Sequence, residues 1–247
     1  MALTLSGCSV KLRSHGLEYQ IGNNLDGAVI TDYKGKAEEL EIPEKLGLKN
    51  VTDIGYAAFM YAQSLESVTI PYGVTSIGKN AFWECHNLKN VKIPDSVTKI
   101  GTMAFFGCFA LKNIEIPDSV TDLGEDTFNQ SGLESIKLPK GIRKIGRLMF
   151  FHCSDLKSID IPDGVTEIGD AVFNGCTSLA DVTIPDGVYS IGCSFQDCVS
   201  LTELTLPDSV TELGENAFYG SWNISVTYKG KTYSYDQLDA LYAEING

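Results

Sequence analysis

The chain has 247 residues, 43% hydrophobic and 21% charged, and its 32 acidic residues outnumber its 19 basic ones to leave a net charge of −13. A surface that negative repels phosphate backbones and anionic lipid, which argues against nucleic acid as a partner. No apolar run approaches the roughly 20 residues needed to span a bilayer, and the length supports a substantial core in one large domain or two small ones.

In chain order, residues 1–16 read as a leader or linker. Met1 to Cys8 is too short for a complete secretory signal. Leu5-Ser6-Gly7-Cys8 nevertheless resembles the cleavage box of bacterial lipoproteins, whose cysteine becomes the lipidated first residue, although the apolar stretch that precedes such a box is missing. A single domain is expected over 17–247. Its N-terminal cap, 17–41, starts with Leu17–Ile21 and Ala28–Thr31 flanking Gly22-Asn23-Asn24-Leu25-Asp26-Gly27, which predicts a hairpin.

From residue 42 to residue 221 the chain repeats. Ile70-Pro71, Ile93-Pro94 and Ile116-Pro117 are spaced 23 apart, as are Leu138-Pro139, Ile161-Pro162 and Ile184-Pro185. Ile42-Pro43 and Leu206-Pro207 extend the series, so all eight prolines share one repeat position. A second column holds Phe59, Phe82, Phe105, Phe128, Phe150, Phe173, Phe195 and Phe218. Three residues after each comes a small one: Ala62, Cys85, Cys108, Ser131, Cys153, Cys176, Cys198 and Ser221.

Each position has a physical reason. Val91 and Ile93 alternate inward as in a short strand, with Leu88 opening the core of the coil. Pro94 has no amide to donate, so the ladder stops and the chain turns. Gly101 suits a left-handed or tight backbone at the next corner. Phe105 fills the centre, and Cys108 is small where the wall folds back. One such unit cannot bury its apolar side chains alone, whereas stacked units can. Eight coils at about 4.8 Å give a body about 38 Å long. The C-terminal cap, 222–247, is expected as a hairpin around Lys229-Gly230-Lys231, then a helix with Ser234 and Gln237 as a capping box and Leu238, Leu241, Tyr242 and Ile245 on one face.

The joint recurrence of Pro, Gly, Phe and Cys over about residues 42–228 resembles the BspA-type, or treponemal, class of leucine-rich repeats. The departures are local: an insertion within Pro43–Ile54 and one-residue deletions near Gly132 and Cys193. The resemblance implies an α/β leucine-rich-repeat solenoid, a horseshoe of about eight coils with a one-sided parallel β-sheet and hairpin and helix caps. It also implies a non-enzymatic binding or adhesion module of a bacterial surface or secreted protein, with a host or cell-surface protein as ligand. An intracellular, cytoplasmic protein-interaction scaffold is the alternative.

Chemistry-bearing residues fit that picture. The odd count of seven cysteines is no disulfide framework. Cysteines on neighbouring coils project in parallel, which disfavours a bridge, and Ala62, Ser131 and Ser221 share their column, so the position selects smallness. Cys193 sits apart, in a shortened corner. His86 and His152 lie three coils apart, roughly 14 Å, and His15 lies outside the repeats. A shared metal needs ligands at about 2 Å, so no metal or cofactor is expected. Asp95, Asp118, Asp163, Asp186 and Asp208 follow the prolines and are read as turn starters that bond their own backbone. The outward strand positions form a polar concave face that includes Asn90, Lys92, Asn113, Glu115 and Lys137. The residues just after the Phe column include Trp83, Phe106 and Phe151, with Phe109 close by. Aromatic residues off the core register are what interface anchors look like.

Overall fold

The repeat unit closes into a coil with three walls, seen in a computed structural model that describes residues 10–21 and 27–247. The first wall is the short strand before each proline. Ser67–Thr69 pairs in parallel with Asn90–Lys92, and Ser135–Lys137 with Ser158–Asp160 and then Asp181–Val182. The central residue of each, such as Val68, Val91, Ile136 and Ile159, is buried, and its neighbours face outward. After Pro94 the chain turns, and the Val97 amide donates back to the Pro94 carbonyl at 3.0 Å.

The sequence places the sheet on one side only, but the coils carry a second parallel ladder. Ser76–Ile77, Lys99–Ile100 and Asp122–Leu123 pair in sequence, as do Lys144–Ile145, Glu167–Ile168, Ser190–Ile191 and Glu212–Leu213. Two residues per strand is too short an alternation to register as a strand pattern. Of the left-handed and tight backbones expected at the glycine that follows each of these strands, the left-handed one does not occur. A Cβ on Gly101 would lie 2.6 Å from the Lys79 nitrogen and 2.8 Å from the Gly78 carbonyl carbon, so the glycine lets successive coils meet backbone to backbone.

Left-handed backbone occurs instead on both sides of each phenylalanine except Phe195, which has it only on the far side. Ala57, Asn80, Met103, Asp126, Leu148, Ala171 and Asn216 adopt it two residues before, and Tyr61, Glu84, Gln130, His152 and Asp197 two residues after. Each such residue costs about 1 kcal/mol. The conformation is held by bonds between coils, such as Phe82 N–H to the Ala104 carbonyl at 2.8 Å and Glu84 N–H to the Phe106 carbonyl at 2.7 Å.

This third wall buries the phenylalanine stack. Ring centroids are 5.0 Å apart for Phe59–Phe82, 5.7 Å for Phe105–Phe128 and 5.8 Å for Phe195–Phe218. Tyrosines close the stack, with Tyr33 5.4 Å from Phe59 and Tyr242 6.5 Å from Phe218. The cysteine column is buried, and smallness is not its whole role. The Cys85 thiol donates to the Phe59 carbonyl at 3.0 Å, Cys108 to Phe82 at 3.3 Å and Cys176 to Phe150 at 3.1 Å. Ser221 donates to the Phe195 carbonyl in the same way at 2.7 Å. The column therefore favours a small side chain that can donate a hydrogen bond.

Both ends are covered. Leu17–Ile21 and Ala28–Tyr33 pair antiparallel as expected, and Ala28–Tyr33 passes to the parallel ladder through Lys49–Ile54. An outer strand, Val10–Ser14, lies within the segment read as a leader or linker and pairs with Leu17–Ile21. The insertion after Pro43 is a small hairpin in which Lys45–Leu46 pairs back on Lys49–Asn50. At the other end, Ser225–Tyr228 and Lys231–Ser234 form a hairpin whose two turn residues, Lys229 and Gly230, are both left-handed. The helix Leu238–Asn246 follows, with Leu238, Leu241 and Ile245 buried. Its Asn246 amide exchanges two 2.9 Å hydrogen bonds with the backbone of Leu213, which closes the edge of the second ladder.

Two coils are one residue short, with Ile116 to Leu138 and Ile184 to Leu206 each spaced 22. The first wall is interrupted beside the first and at the second. Asn90–Lys92 and Ser135–Lys137 fall in different sheets, with only the isolated bridge Glu115–Lys137 near the gap, and Asp181–Val182 and Glu203–Leu206 likewise fall in different sheets.

Candidate functional site: an aromatic run on the phenylalanine wall

The residue after each buried phenylalanine sits on the outer side of the third wall. Trp83 and Phe106, on adjacent coils, are half-buried with ring centroids 5.8 Å apart. The exposed Tyr61 packs edge-on against Trp83 at 4.9 Å and lengthens the run. One corner further on, the exposed Phe109 stacks on His86 at 4.8 Å, while His86 Nε2 pairs with the Glu84 carboxylate.

Phe151 is not part of this run. Between it and Phe106 in the column stands Asn129, buried, with its Nδ2 donating to Asp126 at 2.8 Å. Phe151 packs instead on His152 at 4.2 Å. Asn174 and Gln196 extend the polar stretch and bond each other at 3.0 Å.

A second exposed aromatic group lies near the C-terminal end. Trp222 packs between Tyr219 at 5.8 Å and Tyr235 at 4.9 Å. It escaped the sequence reading, although it occupies the corner position of His86 and Phe109, one residue after the cysteine column. Tyr56, Tyr72 and Leu48 are also exposed, the last at the tip of the inserted hairpin.

The residues expected on the concave face, Asn90, Lys92, Asn113, Glu115 and Lys137, are all exposed on the first wall. They do not form one continuous row, because the interruption falls between Lys92 and Glu115. A cleft of about 440 Å³ opens there, lined by Ile93, Ile114, Glu115 and Lys137 among others.

The aspartates after the prolines do not act as expected. The serines beside them tie the corners instead, with Ser96 Oγ accepting from the Gly73 amide at 3.0 Å and donating to the Val74 carbonyl at 2.8 Å. Asp118 accepts from the Lys140 amide of the next coil at 3.1 Å. That bond, together with the Lys140 ammonium, holds its carboxyl below the usual range. Among the described residues no group of three or more His, Cys, Asp or Glu side chains could hold a metal ion, and no helix is long and apolar enough to cross a membrane. Cys8 lies outside the described residues.

Stacked coils with a parallel strand in each and a buried hydrophobic ladder define a leucine-rich-repeat solenoid, a scaffold for binding proteins. The model of the BspA type leucine rich repeat region matches residues 52–180 and 166–237 in six copies, and the chain belongs to that family. The T. pallidum leucine-rich-repeat protein is 30% identical with a TM-score of 0.73, over 78% of this chain and 91% of that one. A leucine-rich-repeat protein from Bacteroides ovatus is 26% identical with a TM-score of 0.67, over 87% of this chain and 64% of that one. A leucine rich cell surface protein from Faecalibacterium prausnitzii is 27% identical with a TM-score of 0.65, over 93% of this chain and 78% of that one. No curated protein matches the sequence.

Proposed function

We propose that the chain is a non-enzymatic adhesion or binding module of a bacterial surface or secreted protein, and that the aromatic run anchors a host or cell-surface protein. The observation that carries this reading is the run itself. Tyr61, Trp83 and Phe106 pack in sequence across three coils, with Phe109 exposed beside them. On an acidic body such a patch is the feature that interfaces use, and aromatic anchors dominate their energetics. The cell-surface description of the Faecalibacterium prausnitzii neighbour supports the location, with Cys8 as the point of lipid attachment.

The test is binding of the purified chain to intact host cells, read by flow cytometry. Trp83→Ala with Phe106→Ala should weaken binding about tenfold, and Asn113→Ala with Glu115→Ala should change it little. Because Trp83 and Phe106 are half-buried, Tyr61→Ala with Phe109→Ala repeats the comparison at more exposed positions. Loss only in the Asn113 and Glu115 variant would move the site to the first wall. Failure of antibodies against the chain to label intact bacteria would refute the surface location.

A further inference from the structure

The negative charge is segregated along the solenoid. Residues 158–228 hold eleven acidic side chains and no lysine, arginine or histidine, so they carry eleven of the thirteen net negative charges. The preceding coils neutralise themselves from one coil to the next. Glu66 meets Lys89 at 2.7 Å, Asp122 meets Lys99 at 2.6 Å and Glu134 meets Lys157 at 2.7 Å. In the acidic coils Asp163, Asp181, Asp186 and Glu203 are exposed, and none takes part in an ion pair among the described residues.

The fold does not demand acid at these places. The rung of Asp181 and Glu203 carries Asn90 and Ser135 elsewhere, and the turn position of Asp186 carries Tyr72 and Lys140. Like charges on neighbouring strands repel and weaken the stack. The sheet face is also open here. Where the first wall breaks between Asp181–Val182 and Glu203–Leu206, a cleft of about 440 Å³ is lined by Asp181, Thr183, Asp186, Glu203 and Thr205 around apolar side chains.

We infer that this acidic sheet face, centred on the cleft between the Asp181 and Glu203 strands, docks a lysine- or arginine-rich segment of a partner protein. A long cationic side chain matches the cleft on two counts, laying its methylenes on the apolar floor and its charge among the carboxylates. A nucleic acid is repelled, and no group of three or more potential metal ligands is present among the described residues. The face lies on the first wall, apart from the aromatic run, so either contact can fail without the other.

The probe is fluorescent decalysine, titrated with the whole chain at low ionic strength and read by anisotropy. Asp181→Asn with Asp186→Asn and Glu203→Gln should weaken binding roughly tenfold. Glu39→Gln with Glu41→Gln and Glu44→Gln removes the same charge from exposed sites at the other end, and should weaken it about twofold or less. The difference should shrink as salt shortens the screening length. Glu203→Gln read against Glu39→Gln gives the same comparison in a smaller step, if either triple variant melts early. Equal weakening in both variants would mean that net charge alone binds the peptide, and no binding by the parent would remove the face altogether. Displacement of decalysine by millimolar calcium at constant ionic strength would make the face a cation site instead.

Discussion

The Lys112 ammonium meets the Asp155 carboxylate at 2.6 Å although 43 residues separate them, so the pair reaches over the whole of the coil between. That coil lost a residue beside Gly132. The shortened corner leaves a notch of about 410 Å³ lined by Phe109, Gln130, His152 and Asp155, and the lysine spans it.

Gly132 is what lets the corner close. A Cβ there would lie 1.9 Å from the Phe109 carbonyl oxygen, a backbone atom that cannot swing aside. Gly132→Ala should therefore destabilise the protein by about 3 kcal/mol or more, measured by urea unfolding. Lys112→Met should change stability little, since both partners of the pair are about half exposed. An alanine variant that unfolds with the parent would show that the corner relaxes freely.

The cysteine column should answer to hydrogen bonding and to pH. Burial pushes the Cys85, Cys153 and Cys198 thiols up to about 12. Unfolded thiols ionise near 9.0, so stability from this source is complete below that pH and declines as pH rises toward 12. Unfolding followed from pH 7 upward should show that decline, and native labelling at neutral pH should reach Cys193, half-buried, before the buried five. Cys85→Ser keeps the donor to the Phe59 carbonyl and should stay within about 1 kcal/mol of the parent. Cys85→Val, larger and without a donor, should cost about 1–3 kcal/mol. Equal melting of the two variants would remove the donor role.

Left-handed residues that are not glycine store strain that a substitution can release. Asp197 has a φ of 56° and is exposed, and its counterparts on other coils are Gly107, Gly175 and Gly220. Asp197→Gly should stabilise by up to about 1 kcal/mol, less what the freer unfolded chain takes back. A lower melting temperature would mean that the aspartate side chain holds the corner.

Removing a core ring should be costly. Phe128 is fully buried between Phe105 and Phe150, each 5.7 Å away. Phe128→Ala should cost about 3–5 kcal/mol in calorimetry. A melt superimposable on the parent's would contradict the stacked core.

The legible part of the fold is what period and residue type encode directly. Pro94 and Phe105 mark the turn and the core rung because proline cannot donate and a large ring must be buried. The second ladder was not legible, because strands of two residues such as Lys99–Ile100 carry no alternation to detect. The left-handed corners were hidden by their residue types, since Met103 and Leu148 do not announce a turn. For the candidate site, the adjacency of Trp83 and Phe106 followed from the 23-residue period. The exclusion of Phe151 did not, because it depends on the burial of Asn129, which only packing decides. The charge segregation after Ser158 is legible in full, and the cleft that accompanies it is not.

The interruptions of the sheets also set how the molecule would respond to tension. At the second short coil the ladder of Ser190–Ile191 and Glu212–Leu213 still runs across the break in the first wall. At the first short coil the second ladder is interrupted, because Asp122–Leu123 and Lys144–Ile145 fall in different sheets, and the first wall is reduced to the isolated bridge Glu115–Lys137. The coils there are joined chiefly through the phenylalanine wall, by bonds such as Phe128 N–H to the Met149 carbonyl at 3.1 Å, and by the side-chain ties from Lys112 to Asp155 and from Lys140 to Asp118. Pulled from its two ends, the solenoid should tear first at this seam and come apart as two blocks, one on each side of residues 123–144.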